Sequence, residues 1–135
     1  MTIEPINPAE LAKPSGFSHA VSVRDARQVY LAGQTGMDPA GAIVAGGVVA
    51  QFEQALGNLL TALRAAGGQP AHLVQLTIYI VDIPDYQRHA KEIGAVWRRL
   101  IGAHYPATAG IGVSRLWDTE ALVEVQGTAA LPLDD

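Results

Sequence analysis

One carboxylate, Glu124, stands in an otherwise nearly uncharged run from Ala121 to Leu131 (ALVEVQGTAAL). Alternation with period two gives this run the pattern of a β-strand, with Leu122, Glu124 and Gln126 on one side. A lone acid in such a strand is either a residue of the wetter face or a site residue. In a partly enclosed cleft its pKa is set by burial, and it can act as general base on water. Thr108, in the segment Tyr105-Pro106-Ala107-Thr108, and Ser18, which opens the run SHAVSV, are two further polar candidates. Either hydroxyl could meet a hydroxyl, carbonyl or amide of a ligand, or could cap loop backbone instead.

The remaining candidates carry weaker patterns. His19 on an early strand could exchange protons near neutral pH if it faces inward, and is otherwise a half-buried strand residue. His104 precedes Tyr105-Pro106 and reads as a turn residue, and His72 and His89 read as surface residues. The four histidines lack ligand spacing, so neither a metal nor another cofactor is expected. Arg115, in the turn before the last strand, is expected to pair with Asp118 or Glu120, or else to bring its guanidinium toward Thr108 in space. Trp97 is expected in the core and Trp117 at a rim. The stretch GQTGMDPAGAIVAGG holds five glycines but neither GxxxxGK[ST] nor GxGxxG between strand and helix, so it is not a phosphate loop.

The bulk composition narrows the classes. The 135 residues fit one domain, and 49% hydrophobic content supplies a core. Only 16% are charged, below the usual ~25%. That deficit fits a surface partly covered by another chain, or an alanine-rich composition bias. Net charge is −4 and the nine basic residues are scattered, so no nucleic-acid footprint is expected. Zero cysteines exclude disulfides, thiolate catalysis and cysteine zinc sites. No apolar run reaches the ~18 residues of a membrane span. The N-terminus lacks a basic start and apolar core, so a cytoplasmic protein is expected.

The elements that must position these residues read as follows. Residues 1–17 hold three of the eight prolines and read as an extended arm. Ser18–Val23 and Gln28–Ala32 are predicted as two antiparallel strands at hairpin distance. A short strand is possible at Ala42–Ala45. Val49–Ala66 is predicted as a helix burying Phe52, Leu56, Leu59, Leu60 and Leu63, ended by Gly67-Gly68. Leu73–Val81 reads as a central strand. Tyr86–Ile101 reads as a second helix, with Asp85 as its cap. Strands at Ala109–Ser114 and Ala121–Ala130 close the chain. The expected architecture is α+β: a mixed sheet with two helices on one face. The other face is expected to be rich in Ala, Val and Leu, and oligomerisation through it would keep it dry.

Five segments resemble, in order, the YjgF/RidA (reactive intermediate deaminase) family: VYLAGQTGMDPAG (Val29–Gly41), the helix ending RAAGG (Arg64–Gly68), LVQLTIYIVDIPDY (Leu73–Tyr86), YPATAGIGVSRL (Tyr105–Leu116) and LVEVQGTAAL (Leu122–Leu131). The resemblance implies a single domain over residues 1–135, with 1–15 as an extended N-terminal arm. It implies a chorismate-mutase-like fold and a homotrimer whose sheets form a central barrel, with helices outside and small-molecule clefts between subunits. It also implies hydrolysis of reactive 2-imino or enamine acids to 2-keto acids and ammonia.

Residue by residue, the likeness is partial. Thr108 stands where the family's deaminases carry the Arg that clamps a substrate carboxylate. Bidentate Arg–carboxylate pairing is among the strongest recognition contacts, and one hydroxyl does not replace it. Ser18 stands for a Tyr, Ala32 for a Ser, and Ala90 lies near the position of an Asn. Gly33 and Gly110 match positions whose backbone lines the pocket. Glu124 matches the glutamate that positions the attacking water, and Gln126 replaces a second glutamate.

The resemblance thus implies a cleft protein that hydrolyses an imine, enamine or related metabolite unlike the usual 2-imino acids. Glu124 would activate water, and Thr108, Gly33, Gly110, Ser18, Ala32 and Ala90 would border the ligand. The alternative is a trimer that binds a metabolite, or acts as a chaperone-like interaction body, without chemistry. A ribonuclease role, associated with some relatives, finds no basic stripe here.

Overall fold

A computed structural model describes residues 1–134 of the chain, so the last residue of the expected 1–135 domain lies outside the described residues. In chain order the elements are β1 (Thr2–Ile6), β2 (Ala20–Arg24), β3 (Ala26–Thr35), α1 (Gly47–Ala65), a 3-10 turn (Pro70–His72), β4 (Leu73–Ile80), α2 (Ile83–Arg88), α3 (Ala90–Leu100), β5 (Ala107–Gly112) and β6 (Val123–Pro132). Four strands form one mixed sheet in the order β3-β6-β4-β5, with β4 and β5 parallel and the other pairs antiparallel. None of the helices among the described residues is long and apolar enough to cross a membrane.

The core forms where the helical stripe meets the inward faces of the strands. Phe52, Leu56, Leu59, Leu60 and Leu63 of α1 pack with Leu76 and Ile80 of β4, Val123, Val125 and Leu131 of β6, and Ile93, Val96 and Trp97 of α3. Each such side chain, fully buried, contributes about 1.5–3 kcal/mol. Glycine brackets α1: Gly46 before it has φ 112° and Gly67 after it has φ 93°, both left-handed.

Four expectations need correction. First, Ser18–Val23 does not form a hairpin with Gln28–Ala32. β2 pairs instead with β1, from Thr2↔Arg24 to Ile6↔Ala20, so the N-terminal arm carries a strand of its own. Only Asp25 separates β2 from β3, and its φ of 52° turns the chain out of one sheet into the other. One residue is too few for the two-residue loop of a tight hairpin.

Second, there are three helices, because the expected Tyr86–Ile101 helix begins earlier and breaks at His89. The cap is Asp82, whose carboxylate accepts the Asp85 N–H at 3.0 Å, and Pro84 sits in the first turn, where its missing N–H costs nothing. At the break, the His89 imidazole Nδ1 bonds the Asp85 carbonyl at 2.8 Å. The His89 N–H turns instead to the Tyr86 carbonyl, which ends the α-helical ladder.

Third, the uncovered sheet face is not rich in Ala, Val and Leu. It is mixed: Gln28, Tyr30, Gln75, Thr77, Tyr79, Gln126 and Thr128 share it with Ala107, Ala109, Ala130 and Ile111, while most of the larger apolar side chains point to the helices. Fourth, the expected strand at Ala42–Ala45 is a single bridge, Met37↔Ile43.

Candidate functional site

The residues singled out from sequence gather in two groups at opposite edges of the sheet. The first lies where β3 departs from regular pairing. Its ladder with β6 runs from Ala26↔Pro132 to Leu31↔Gly127 and resumes at Gln34↔Val125. Ala32 and Gly33 form the irregularity between, a bulge of the kind that re-aims neighbouring side chains.

Glu124, paired with Thr35 on one side and Tyr79 on the other, extends its side chain over Gly33. A Cβ at Gly33 would collide with Oε2 and stand 2.9 Å from Cδ and 3.2 Å from Cγ. The carboxylate therefore occupies space that only glycine leaves free. No hydrogen bond or ion pair to protein engages this half-buried carboxylate among the described residues, so its oxygens remain available to a water or a ligand. Two residues on, Gln126 accepts a hydrogen bond from the Tyr79 hydroxyl at 2.9 Å.

The start of β6 is held by a residue the sequence reading missed. Gln51 of α1, only 5% exposed, donates from Nε2 to the Glu120 carbonyl at 3.1 Å and accepts the Leu122 N–H on Oε1 at 2.8 Å. The Leu122 carbonyl in turn accepts the Val81 N–H. One amide thus fixes the segment that delivers Glu124. The available signal was a polar residue directly before Phe52, four residues from the buried Ala55.

The second group lies on the edge strand β5. Thr108 pairs with Leu76 and Gly110 with Ile78, and both face the helix side. A Cβ at Gly110 would meet Ile80 at an ordinary 3.8 Å, so this glycine is not forced by space. Thr108 and Ala90, at the start of α3, border a hollow of about 420 Å³ with the aromatic rings of Phe52, Tyr86, Trp97 and Tyr105. Burial pushes the Tyr86 hydroxyl from 10.0 up to about 12.

Both candidate hydroxyls cap loop backbone. Thr108 Oγ1 donates to the Pro106 carbonyl at 2.9 Å, and Ser18 Oγ donates to the Tyr105 carbonyl at 2.6 Å. Ser18 is 6% exposed, and its backbone joins β5 through a bridge to Ala107. Each keeps lone pairs to accept a hydrogen bond and has already committed its proton.

The histidines stand apart from Glu124. His19 Nε2 bonds the Ala12 carbonyl at 2.8 Å, its N–H bonds Asn7 Oδ1, and its ring meets Phe17 edge-on at 5.1 Å. It ties down the N-terminal arm. His104 has the expected turn role: Nε2 bonds the Leu73 carbonyl, and its own carbonyl accepts the Trp97 indole N–H. Among the described residues no three His, Asp or Glu side chains are placed to hold a metal.

Arg115 does not pair with Asp118 or Glu120. Its guanidinium donates to the carbonyls of Leu116 and Trp117, both at 3.0 Å, because the bend curls those carbonyls back on it. Trp117 is 91% exposed at that bend.

Within one chain the two groups do not meet. Strand β4 lies between β6 and β5, a separation of roughly 10 Å. Glu124 also faces the uncovered side of the sheet, whereas Thr108 faces the helices.

Comparison with known proteins covers most of the chain. Residues 8–131 match a family model described as Endoribonuclease L-PSP. The 2-iminobutanoate/2-iminopropanoate deaminase of Capra hircus is 38% identical over 101 residues, 74% of this chain and 69% of its own. A RutC family protein of Pyrococcus horikoshii is 30% identical over 118 residues, 87% of this chain and 89% of its own. Among solved structures, the Rid-family protein YyfB of Yersinia pestis, itself described as of unknown function, is 36% identical. It superposes with a TM-score of 0.86, covering 97% of this chain and 100% of its own. By this matched span, fold and identity, the chain belongs to the YjgF/RidA family.

Proposed function

We propose that this protein hydrolyses an imine or enamine metabolite to a carbonyl compound and ammonia. Each chain acts as one domain within a cytoplasmic homotrimer whose ligand clefts lie between subunits. The observation that carries this reading is the Glu124 carboxylate, set over the β3 bulge at Gly33 with no protein partner. Such a carboxylate takes a proton from water as the oxygen adds to the C=N carbon. The carboxyl group gives the nitrogen the proton it took from water, so a neutral carbinolamine forms; on collapse the hydroxyl proton passes through the same carboxylate to the nitrogen, the C–N bond breaks and ammonia leaves. General-base assistance of this type contributes about 10²–10⁴-fold.

The sheet order supports this assembly. β3 and β5 are the two edges of the sheet; the Ala32–Gly33 bulge under the Glu124 carboxylate lies on one, and Thr108 and Gly110 lie on the other. Docking the β5 edge of one copy against the β3 edge of the next sets the Thr108–Gly110 strand beside Ala32 and Gly33 of the neighbour, so both groups border one subunit boundary. Three such contacts close a chorismate-mutase-like barrel, leave no free edge on the four-stranded sheets, and turn their uncovered faces inward. The goat relative, 38% identical, bears the name of a 2-iminobutanoate/2-iminopropanoate deaminase, which supports the reaction class. The substrate differs from those small acids, because Thr108 offers no cation to a carboxylate and its proton is held by Pro106. That same observation favours a second reading, ligand binding without turnover.

Ammonia release decides between them. Imines generated in situ from a panel of small and aromatic amino acids by an amino-acid oxidase are the test substrates. The hydrolase reading expects enzyme-dependent ammonia from at least one imine, falling a hundredfold or more in Glu124→Gln with the elution volume of the assembly unchanged. Ammonia at the buffer rate from the whole panel leaves the binding reading. Full activity in Glu124→Gln removes the role of the carboxylate.

A further inference from the structure

The hollow beside Thr108 has a composition of its own. Phe52 and Tyr86 meet edge to face with centroids 6.3 Å apart, and Trp97 and Tyr105 stack at 6.2 Å with planes 10° apart. Along α3, Ala90, Gly94 and Arg98 follow at four-residue intervals and border this space in one line. The two small residues leave a trough, and Arg98 folds back along it: a Cβ at Gly94 would stand 3.4 Å from Arg98 Nη1. The next residue, Arg99, pairs with Glu53 across to α1, whereas no carboxylate pairs with Arg98 among the described residues.

Two other polar groups of the hollow are already engaged. The Trp97 indole N–H is held by the His104 carbonyl and the Thr108 hydroxyl proton by the Pro106 carbonyl. The Tyr86 hydroxyl makes no hydrogen bond to protein among the described residues, and burial keeps it neutral to about pH 12, so it stays a donor. The space thus offers aromatic walls, one unpaired guanidinium at the rim and, among the described residues, the hydroxyls of Tyr86, Tyr105 and Ser15 without a hydrogen bond to protein. Its volume of about 420 Å³ suits a ligand the size of a small aromatic acid.

We propose that this hollow selects a carboxylic acid with a planar, aromatic-sized side chain, the ring lying against Phe52, Tyr86, Trp97 and Tyr105 and the carboxylate held by Arg98. Arg98 then supplies from α3 the cation that Thr108 lacks on β5. The inference rests on the reading of the cleft beside Thr108 as the ligand site, and it narrows the substrate class to imines of aromatic 2-amino acids. A guanidinium reaches a carboxylate with two parallel hydrogen bonds, which a lysine does not reproduce.

The probes are phenylpyruvate, the keto acid that hydrolysis of such an imine yields, and pyruvate, which has the same head and no ring. Calorimetric titration is run on the assembled protein and on Arg98→Gln, Arg98→Lys and Arg99→Gln. Both arginines are exposed, so the variants keep the core intact. Phenylpyruvate is expected to bind at least tenfold tighter than pyruvate. Arg98→Gln should weaken phenylpyruvate fivefold or more, Arg98→Lys should recover part of that loss, and Arg99→Gln should stay within twofold. Equal binding of the two acids, a loss below fivefold in Arg98→Gln, or an equal loss in Arg99→Gln overturns the inference. Equilibrium binding of a product-like acid requires no turnover, so the two readings fail separately. Arg98-dependent binding without ammonia release sustains this inference and removes the hydrolase. Ammonia release with Arg98-independent binding does the reverse.

Discussion

Gly33→Ala should separate the placement of the Glu124 carboxylate from the stability of the fold. The added methyl group collides with Oε2 and sits 2.9 Å from Cδ, so the carboxylate must leave its place over the bulge. It is the free end of a flexible side chain, and moving it off its rotamer costs about 0.5–1.5 kcal/mol. Gly33 is not among the glycines with positive φ. Alanine there recovers about 0.4–1 kcal/mol by restricting the unfolded chain. The two terms nearly cancel, and net stability should change by less than about 1 kcal/mol, or about 4 °C in thermal midpoint for a domain of this size. Turnover should not be spared: a base displaced by an ångström or more loses about 10²-fold.

The control is Gly127→Ala, where the new Cβ would stand 2.5 Å from the Gln75 carbonyl oxygen. That oxygen belongs to the β4 backbone and has nowhere to move, so a loss of roughly 1–3 kcal/mol or more is expected. Ammonia release and thermal unfolding at fixed protein concentration read both variants. Gly33→Ala that keeps turnover within threefold of the parent, or that melts as low as Gly127→Ala, refutes the account of how the carboxylate is housed.

Three further outcomes follow from individual contacts. Gln51→Leu leaves the Leu122 N–H and Glu120 carbonyl without their partner, and urea unfolding should show a loss of about 2–4 kcal/mol together with reduced turnover. The Tyr86 hydroxyl ionises near 10 in the unfolded chain and near 12 in the folded one, so the unfolded state sheds its proton first as pH rises. Stability should hold below pH 10 and fall by up to about 3 kcal/mol between pH 10 and 12, a slope that Tyr86→Phe removes. Thr108→Arg places a guanidinium on β5 and should raise ammonia release from 2-iminobutanoate at least tenfold. If the parent already turns over that imine as fast as it does aromatic ones, Thr108 is not the reason for a changed substrate.

The helix α1 and the central strands β4 and β6 were legible because each repeats one period long enough to exclude the other. Phe52 to Leu63 keep helical spacing, and Val123, Val125, Ala129 and Leu131 bury every second side chain. The partner of β2 was not legible. An alternating run says which residues share a face and nothing of which strand lies alongside, and here a single φ at Asp25 decides it. The break at His89 was hidden because it depends on an imidazole outcompeting a backbone N–H for one carbonyl. Of the site, Glu124 was visible as a lone acid, and Ala32 and Gly33 through the resemblance. That the carboxylate needs the missing Cβ of Gly33 depends on a bulge, which leaves no trace in periodicity. Ser18 and Thr108 had two open readings, and the carbonyls of the Tyr105-Pro106 turn settle their protons on backbone capping.

The two edges of the sheet differ in how far they tolerate change, and this bears on how a changed ligand and a retained base coexist. At the β3 edge the geometry depends on an atom that is absent: any side chain at Gly33 expels the carboxylate, so the placement of Glu124 requires glycine at that position. At the β5 edge the bordering positions are an edge strand and the first turns of α3. There Gly110 has an ordinary clearance, Ala90 is exposed, and Arg98 reaches back over a glycine. Substitutions there alter the shape and charge of the hollow without touching the hydrogen bonds of Gln51 that carry β6. On the proposed reading, a chain built this way can exchange the group that holds a carboxylate, from β5 to α3, while the surroundings of Glu124 stay as they were. The departures at Thr108 and Ala90 and the persistence of Glu124 with Gly33 are then two consequences of one arrangement, in which each half of the site is fixed by a different edge.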